Sequence, residues 1–418
     1  MPDAVVVSLA RSPIGRAGKG SLAGLRADDL TAQVVRAALE AVPELDPASV
    51  DDLLLGCGMP GGEQGSNMAR VVAVLLGLDG VPGATVTRYC SSSLQTTRMA
   101  MHAVRAGEAD VVVSAGVEVV SRLALGSSDA PPADAPSATA SGTNPWTNPR
   151  FEDARARTAE RARGGAPTWR DPRENGLLPD AYVAMGQTAE DVAARWGVTR
   201  EEQDAYALRS QHRAQDALAS GFWARDITPV VLPDGSVLDA DESPRAGVTA
   251  EGLAALQPVF RPDGTVTAGN CCPLNDGAAA LVVMSDVRAR ELGITPLARV
   301  VSTGVSALSP EVMGLGPVEA SRRALALAGM EIGDVDLVEL NEAFAAQVVP
   351  AARQLGVEDD RLNVHGGAIA VGHPFGMTGA RMTSTLVHGL QERDATIGLE
   401  TMCVGGGQGM AMVLERLS

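Results

Sequence analysis

The chain has 418 residues, 45% hydrophobic and 20% charged, which is enough apolar material for two or three domain-sized units. A net charge of −17 argues against a nucleic-acid binder, whose affinity comes largely from neutralised phosphates, but leaves room for an anionic small ligand held by a few local donors. No apolar run approaches the length of a membrane span, and the start, MPDAVVVSLARSPIG, lacks the basic opening and long apolar stretch of a secretory signal. Five cysteines form an odd count with no metal-type CxxC spacing, and Cys271 and Cys272 are adjacent, so free thiols in a reducing cytoplasm are expected and no metal. A special cysteine is then a nucleophile rather than a staple.

In chain order, Ala4–Ser8 reads as a strand. Asp29–Val42 reads as a helix with Leu30, Val34 and Ala38 on one face. Leu53–Leu55 is a buried strand, Asn67–Leu76 a helix and Thr85–Tyr89 a strand. Ser91–Ala106 carries Leu94, Thr97, Met101 and Val104 at helical spacing and is stopped by Gly107; Val111–Ser114 is a further strand. This alternation predicts an α/β sheet with helical crossovers.

The end of the chain repeats the order. Ala298–Ser302 is a strand, Glu319–Ala328 a helix, Leu337–Leu340 a strand, Ala343–Leu355 and Thr378–Leu390 helices and Thr396–Met402 a strand. DDLLLGCG at 51–58 echoes VDLVELNE at 335–342, with similar spacings from Cys57 to Cys90 and from Asn341 to His373. The pattern predicts two halves built on one plan, residues 1–121 with 247–292 and residues 293–418. Between them, residues 122–246 form an insert. It opens on an Ala-, Pro- and Ser-rich loop at Ser127–Asn148, continues through the charged Arg150–Arg163, and holds all four tryptophans, Trp146, Trp169, Trp196 and Trp223. Long structured insertions of this kind often act as lids.

Four loops carry chemistry. In VTRYCSSSLQ, Cys90 ends a strand and opens a helix, where free N–H groups and the helix dipole favour a thiolate. In NEAFA, Asn341 stands at a strand end and can orient a water or a carbonyl, or simply cap the next helix. GGAIAVGHPFGMTGAR sets His373 in a glycine-dense loop suited to a general base. CVGGGQG sets Cys403 beside N–H groups that can form an oxyanion hole. The phosphate-loop pattern GxxxxGK[ST] is absent.

Together these four motifs, in this order, resemble the thiolase family. RSPIGRAGKGSLAGL at 11–25 and TAGNCCPLNDGAAALVVMS at 268–285 are also similar to that family, so the likeness runs over nearly the whole chain. The resemblance implies a five-layered α-β-α-β-α fold of two similar halves, each with a five-stranded mixed sheet, a loop domain over the active site, and a homodimer or homotetramer. It implies that Cys90 is the acylated nucleophile, His373 its base and Cys403 the acid/base toward the second substrate. Asn341, through a water, and His373 would form one oxyanion hole; the N–H groups of Cys90 and Gly405 would form the other. Ala184, Met185, Cys272, Met313 and Phe344 would line the acyl and pantetheine pocket. Coenzyme A and acyl-CoA enter as substrates, with no permanently bound cofactor.

Some residues depart from the family's usual pattern: Thr87 for Asn, Ser93 for Gly, Cys272 for Ser, and Ala184 for a His of the short-chain biosynthetic subgroup. They tilt the expectation to a 3-ketoacyl-CoA thiolase over an acetyl-CoA acetyltransferase. A ketoacyl-synthase-type enzyme would need a second histidine in place of Cys403, and an inactive scaffold would have lost a catalytic residue.

Overall fold

A computed structural model describes residues 1–123, 147–165 and 167–418; Trp146 and most of the Ala- and Pro-rich loop lie outside the described residues. The first half begins with β1 (Ala4–Arg11), α1 (Ala27–Glu40), β2 (Asp52–Cys57), α2 (Met68–Leu75), β3 (Gly83–Val86), α3 (Ser92–Ala106) and β4 (Val111–Val119). Within the insert lie α4 (Met185–Trp196) and α5 (Arg200–Ala219). The chain then continues through β5 (Asn275–Ser285), β6 (Ala298–Ala307), α6 (Gly316–Ala328), β7 (Leu337–Leu340), α7 (Ala345–Leu355), α8 (Thr378–Glu392), β8 (Ile397–Val404) and β9 (Gln408–Arg416). β4, β5 and β7 are buried along their whole length, as strands are when helices cover both faces of a sheet. α3 ends where expected: Gly107 takes the left-handed conformation, φ 74°, that closes a helix most cheaply with glycine.

The duplication is visible in the pairing. In the first half β3 and β4 each lie parallel to β2, β5 runs antiparallel to β4, and β1 antiparallel to β5. In the second half β8 lies parallel to β7, β9 antiparallel to β8 and β6 antiparallel to β9, the same sequence of directions. The counterpart of β3 is reduced to a single parallel bridge, Val338 to Leu362, so the second sheet has four strands where five were expected. A short pairing of β1 with β6, Val5 to Arg299 and Val6 to Ala298, joins the two sheets.

Three apolar clusters define the layers. α1 and α2 pack Leu30, Val34 and Val72 on the outer face of the first sheet. α3 and α8 fill the space between the sheets with Leu94, Met101, Met382 and Leu386. α6 and α7 cover the second sheet with Ala324, Leu325 and Val348. The insert sits on this outer side of the second half: Trp169 and Tyr206 join that third cluster. Residues 247–274 were assigned to the first half, yet only the stretch from Asn275 enters the sheet. Leu253 packs with Trp169 and Tyr206, and Phe260 and Val266 pack with Met185 and Ala189 of α4.

β7 and β8 place Glu339 directly opposite Glu400, both buried, with Arg381 of α8 against them. Arg381 Nη1 lies 3.7 Å from Glu339, and the Thr383 hydroxyl donates to Glu400 at 2.7 Å. Burial, only partly offset by Arg381, pushes both carboxyls up to about 8. A carboxyl raised above its unfolded value stabilises the fold in its protonated form, and that contribution is lost as pH rises from the ordinary value near 4.5 through about 8. Glu400→Gln, neutral at every pH, is therefore expected to show a smaller fall in melting temperature between pH 5 and 9 than the parent protein. Parallel thermal melts across that range check it, and coincident slopes would contradict the assignment.

Candidate active site

The turn Tyr89–Ser91 leads into α3, with Tyr89 at a positive φ of 44°, a conformation that costs a non-glycine residue energy. Arg88 accompanies it, donating from Nε to Gln95 at 2.9 Å and from Nη1 to Gln408 at 2.8 Å. A cavity of about 620 Å³ opens here, lined by Gly58, Met59, Thr87, Arg88, Tyr89 and Gln408 among others. Cys90 is half-buried, and the Gly405 N–H donates to its sulfur. The last loop of the second half thus reaches the first turn of the first half's helix.

His373 enters from the other side. It follows Gly372, whose φ of 112° suits glycine and where a Cβ would lie 2.7 Å from the Asn275 side chain. The His373 N–H donates to Asn275 Oδ1 at 3.0 Å. Thr378, the first residue of α8, gives its hydroxyl proton to Pro374 O at 2.7 Å, so it accepts from His373 Nδ1, also at 2.7 Å. That assigns the proton to Nδ1 and leaves the lone pair on Nε2. Nε2 faces Asn341 Nδ2 at 3.3 Å. Asn341 is buried; its backbone carbonyl accepts from Gln347 Nε2 at 2.9 Å, and its Oδ1 has no partner among the described residues.

Cys403 is the next-to-last residue of β8 and is fully buried. It packs with Met313, Ala343 and Phe344, against which Met185, Phe260 and Cys271 also lie. Cys271 bridges to Phe344, and the Cys272 N–H donates to Ala343 O at 3.1 Å. Of the expected pocket residues, Met185, Met313 and Phe344 meet around Cys403, and Cys272 abuts them. Ala184 does not join the cluster; it is the exposed N-cap of α4.

The electrostatics differ from the sequence reading in one respect. A helix start was expected to favour the Cys90 thiolate. Burial is the larger effect, and the nearby Glu118 charge adds to it, so the thiol is pushed up to about 12 despite the Gly405 N–H. Burial also raises Cys403, with Cys90 contributing. Burial, then the Arg381 charge, lowers His373 to about 3. At neutral pH the resting site holds two thiols and a neutral imidazole. A base whose Nε2 lone pair is met only by the Asn341 amide, one half-exposed thiol and a second thiol in an apolar wall can transfer protons at two points of one substrate. Among the described residues no group of His, Cys, Asp and Glu is arranged to hold a metal.

Sequence reasoning passed over several positioning groups. Thr378 fixes the imidazole tautomer and sits five residues after His373 at a helix start, a signal that was available. Glu342 of NEAFA accepts from Tyr206 at 2.9 Å, Ser210 at 2.6 Å, Asn363 at 2.9 Å and Ile369 N at 3.0 Å, tying α5 to the active-site loops. Only the three-dimensional contact shows that role.

Two thiols and a histidine contributed by both halves of a duplicated α/β fold define an acyl-transfer type of site. Comparison with known proteins gives its family: the thiolase N-terminal domain matches residues 4–287 and the thiolase C-terminal domain residues 294–416. The chain is 41% identical to the 3-ketoacyl-CoA thiolase of Bacillus subtilis (strain 168), over 99% of this chain and 100% of that one. It is 42% identical to the acetyl-CoA acetyltransferase of Escherichia coli (strain K12), over the full length of both. A beta-ketoadipyl-CoA thiolase of Escherichia coli is also 42% identical over the full length of both. The crystal structure of the Bacillus anthracis acetyl-CoA acetyltransferase superposes with a TM-score of 0.85 at 37% identity, covering 100% of this chain and 99% of that one. The chain belongs to the thiolase family and is an acyltransferase.

A resting thiol at Cys90 has a kinetic signature. Its alkylation by iodoacetamide in the free enzyme is expected to keep rising with pH through 10, without a plateau near neutrality. Peptide mapping of the Cys90 adduct against pH checks this, and a plateau near pH 7 would restore the thiolate reading.

Proposed function

We propose that the protein cleaves 3-ketoacyl-CoA with coenzyme A, giving acetyl-CoA and a shortened acyl-CoA through an acyl group on Cys90. The observation that supports the reading is the packing of the helix start at Cys90 against the helix start that follows His373, with Cys403 in an apolar wall near enough for Cys90 to act on it. In the first step Cys90 sulfur attacks the 3-keto carbon while its proton passes to His373. The C2–C3 bond breaks, and its electron pair leaves as the enolate of acetyl-CoA, which takes a proton from Cys403. Coenzyme A thiol then attacks the acyl-cysteine, giving its proton to the Cys403 thiolate; Cys90 sulfur leaves and takes back its proton from His373, and the shortened acyl-CoA departs. A thiolate serves both as nucleophile and as leaving group, which splits one hard step into two. A raised pKa suits Cys403 to this work, since it holds its proton until a strong base forms beside it.

Each step places negative charge on a carbonyl oxygen. The Gly405 N–H, already aimed at Cys90, and the Cys90 N–H are suited to one such oxygen, and Asn341 with His373 to the other. Losing one donor of this kind costs on the order of 10²–10³ in rate. Met185, Met313 and Phe344 offer apolar contact to an acyl chain. Ala184, the small N-cap just before Met185, leaves the start of α4 unobstructed, and the proposal runs a longer acyl chain past it. The second reading, condensation of two acetyl-CoA to acetoacetyl-CoA, uses the same residues in reverse and is supported by relatives named acetyl-CoA acetyltransferase.

Four measurements test this. Acetyl-CoA is expected to leave an acetyl group on Cys90 in peptide mapping. Cys403→Ser should keep that acylation while nearly abolishing carbon–carbon bond cleavage and formation; equal loss of both half-reactions would remove the division of labour. Thiolysis rates over a chain-length series should exceed the acetyl-CoA condensation rate and extend beyond four carbons. Ala184→His should narrow that range and spare Cys90 acetylation, and an unchanged profile would take Ala184 out of the pocket.

A further inference from the structure

Glu118, the next-to-last residue of β4, is a fully buried carboxylate with no arginine, lysine or histidine bonded to it among the described residues. It is satisfied by N–H donors instead. Oε2 accepts from Gly58 N at 2.7 Å and Gly376 N at 2.9 Å; Oε1 accepts from Gln64 Nε2 at 3.1 Å and Met59 N at 3.2 Å. Gly58 and Met59 lie just after β2, in the first half. Gly376 lies in the His373 loop, in the second.

From this point two short relays run outward. In one, Gly58 donates its N–H to Glu118 and its carbonyl accepts from the Thr87 hydroxyl at 3.0 Å. Thr87 Oγ1 in turn accepts from Tyr89 N at 3.4 Å, one residue before Cys90. In the other, Gly376 follows Phe375, whose ring packs edge-on to the His373 imidazole with centroids 5.3 Å apart. The two loops come so close that a Cβ at Gly58 would lie 2.7 Å from Glu118 Oε2, 2.8 Å from Phe375 and 3.3 Å from Tyr89 O.

We propose that Glu118 is a positioning residue for acyl transfer: its carboxylate clamps the loop beneath Cys90 to the loop that carries His373, and so sets nucleophile against base across the two halves. The proposal rests on the reading of Cys90 as nucleophile and His373 as base. A buried carboxylate is costly unless its oxygens are filled, and here the donors that fill it come from those two loops. The titratable groups facing it are the Cys57 thiol, 3.8 Å from Oε1, and Cys90. Its charge raises both thiols, which gives the clamp an electrostatic readout that packing alone would not have.

Glu118→Gln is the first test. The amide keeps one accepting oxygen, so two of the four N–H donors lose their acceptor, and the negative charge near Cys90 is lost. Acetylation of Cys90 by acetyl-CoA should slow about tenfold or more through misplacement of the reacting groups. The pH profile of Cys90 alkylation should move down by about one unit as the neighbouring charge is removed. Acetylation at the parent rate, or slowed acetylation with an unmoved alkylation profile, would overturn the proposal. Thr87→Val decides the matter if the Gln variant does not fold, since it cuts one relay near the surface. It should slow acetylation with an unmoved alkylation profile, and Thr87→Ser should restore the rate; a parent rate in the Val variant overturns the relay. Absence of any acetyl label on Cys90 in the parent enzyme would instead refute the nucleophile reading, a result separate from either variant's.

Discussion

The site depends on one contact, the close approach of the first turns of α3 and α8. These helices belong to different halves, and their N-terminal ends carry Cys90 and lead on from His373. The approach is set by small groups. A Cβ at Gly379 would lie 2.4 Å from Leu94 N, and one at Gly376 would lie 2.2 Å from Val117 O. The Ser93 hydroxyl accepts from Ala380 N at 2.9 Å, so a residue that departs from the family's usual glycine supplies a cross-helix bond. Unpaired N–H groups at a helix start need a partner when buried. Here one helix satisfies the other.

Bringing both ends into the space between two sheets removes water from them, and that decides their charge. Desolvation is the leading influence on Cys90, His373 and Cys403 alike, outweighing the helix dipole that a sequence reading weighs first. All three rest uncharged, and the charge nearest them is the Glu118 carboxylate, which N–H donors hold. In the proposed reaction, proton transfer from Cys90 to His373 must then be favoured by what the substrate brings: a carbonyl whose developing charge meets the N–H groups of Gly405 and Cys90. A neutral resting pair also spares the nucleophile from stray electrophiles until that moment.

The duplication was legible because strands and helices recur in the same order with nearly the same spacing, and the glycine-dense loops marked where backbone had to approach closely. Cys90, Asn341, His373 and Cys403 stood out as reactive residue types at strand or helix ends, and of these the structure sets Asn341 against His373. Ala184 did not fit in the same way, since its position at a helix cap depends on where α4 begins. The fifth strand of the second half was not legible either, because at Leu362 a single bridge replaces a run of alternating residues. Thr378, Glu342 and Glu118 were missed for a common reason. Their roles lie in hydrogen bonds between segments far apart in sequence, and local pattern holds no record of a partner 258 residues away, as for Glu118 and Gly376.

The two halves keep one plan but divide its positions unequally. Cys57 ends β2, and Asn341 follows its counterpart β7; the first is a buried thiol on a carboxylate, the second faces the imidazole. Glu118 and Cys403 are both next to last in equivalent strands, β4 and β8. A strand end of this kind points its side chain at the junction between halves, so whatever stands there meets the loops of both. In the second half that place holds a thiol facing an apolar wall, suited to exchange a proton with a carbanion. In the first it holds a carboxylate saturated by N–H donors, which is poorly placed to give up or take a proton and well placed to hold loops together. The same backbone position can therefore serve reaction or alignment, and the number of donors around it decides which.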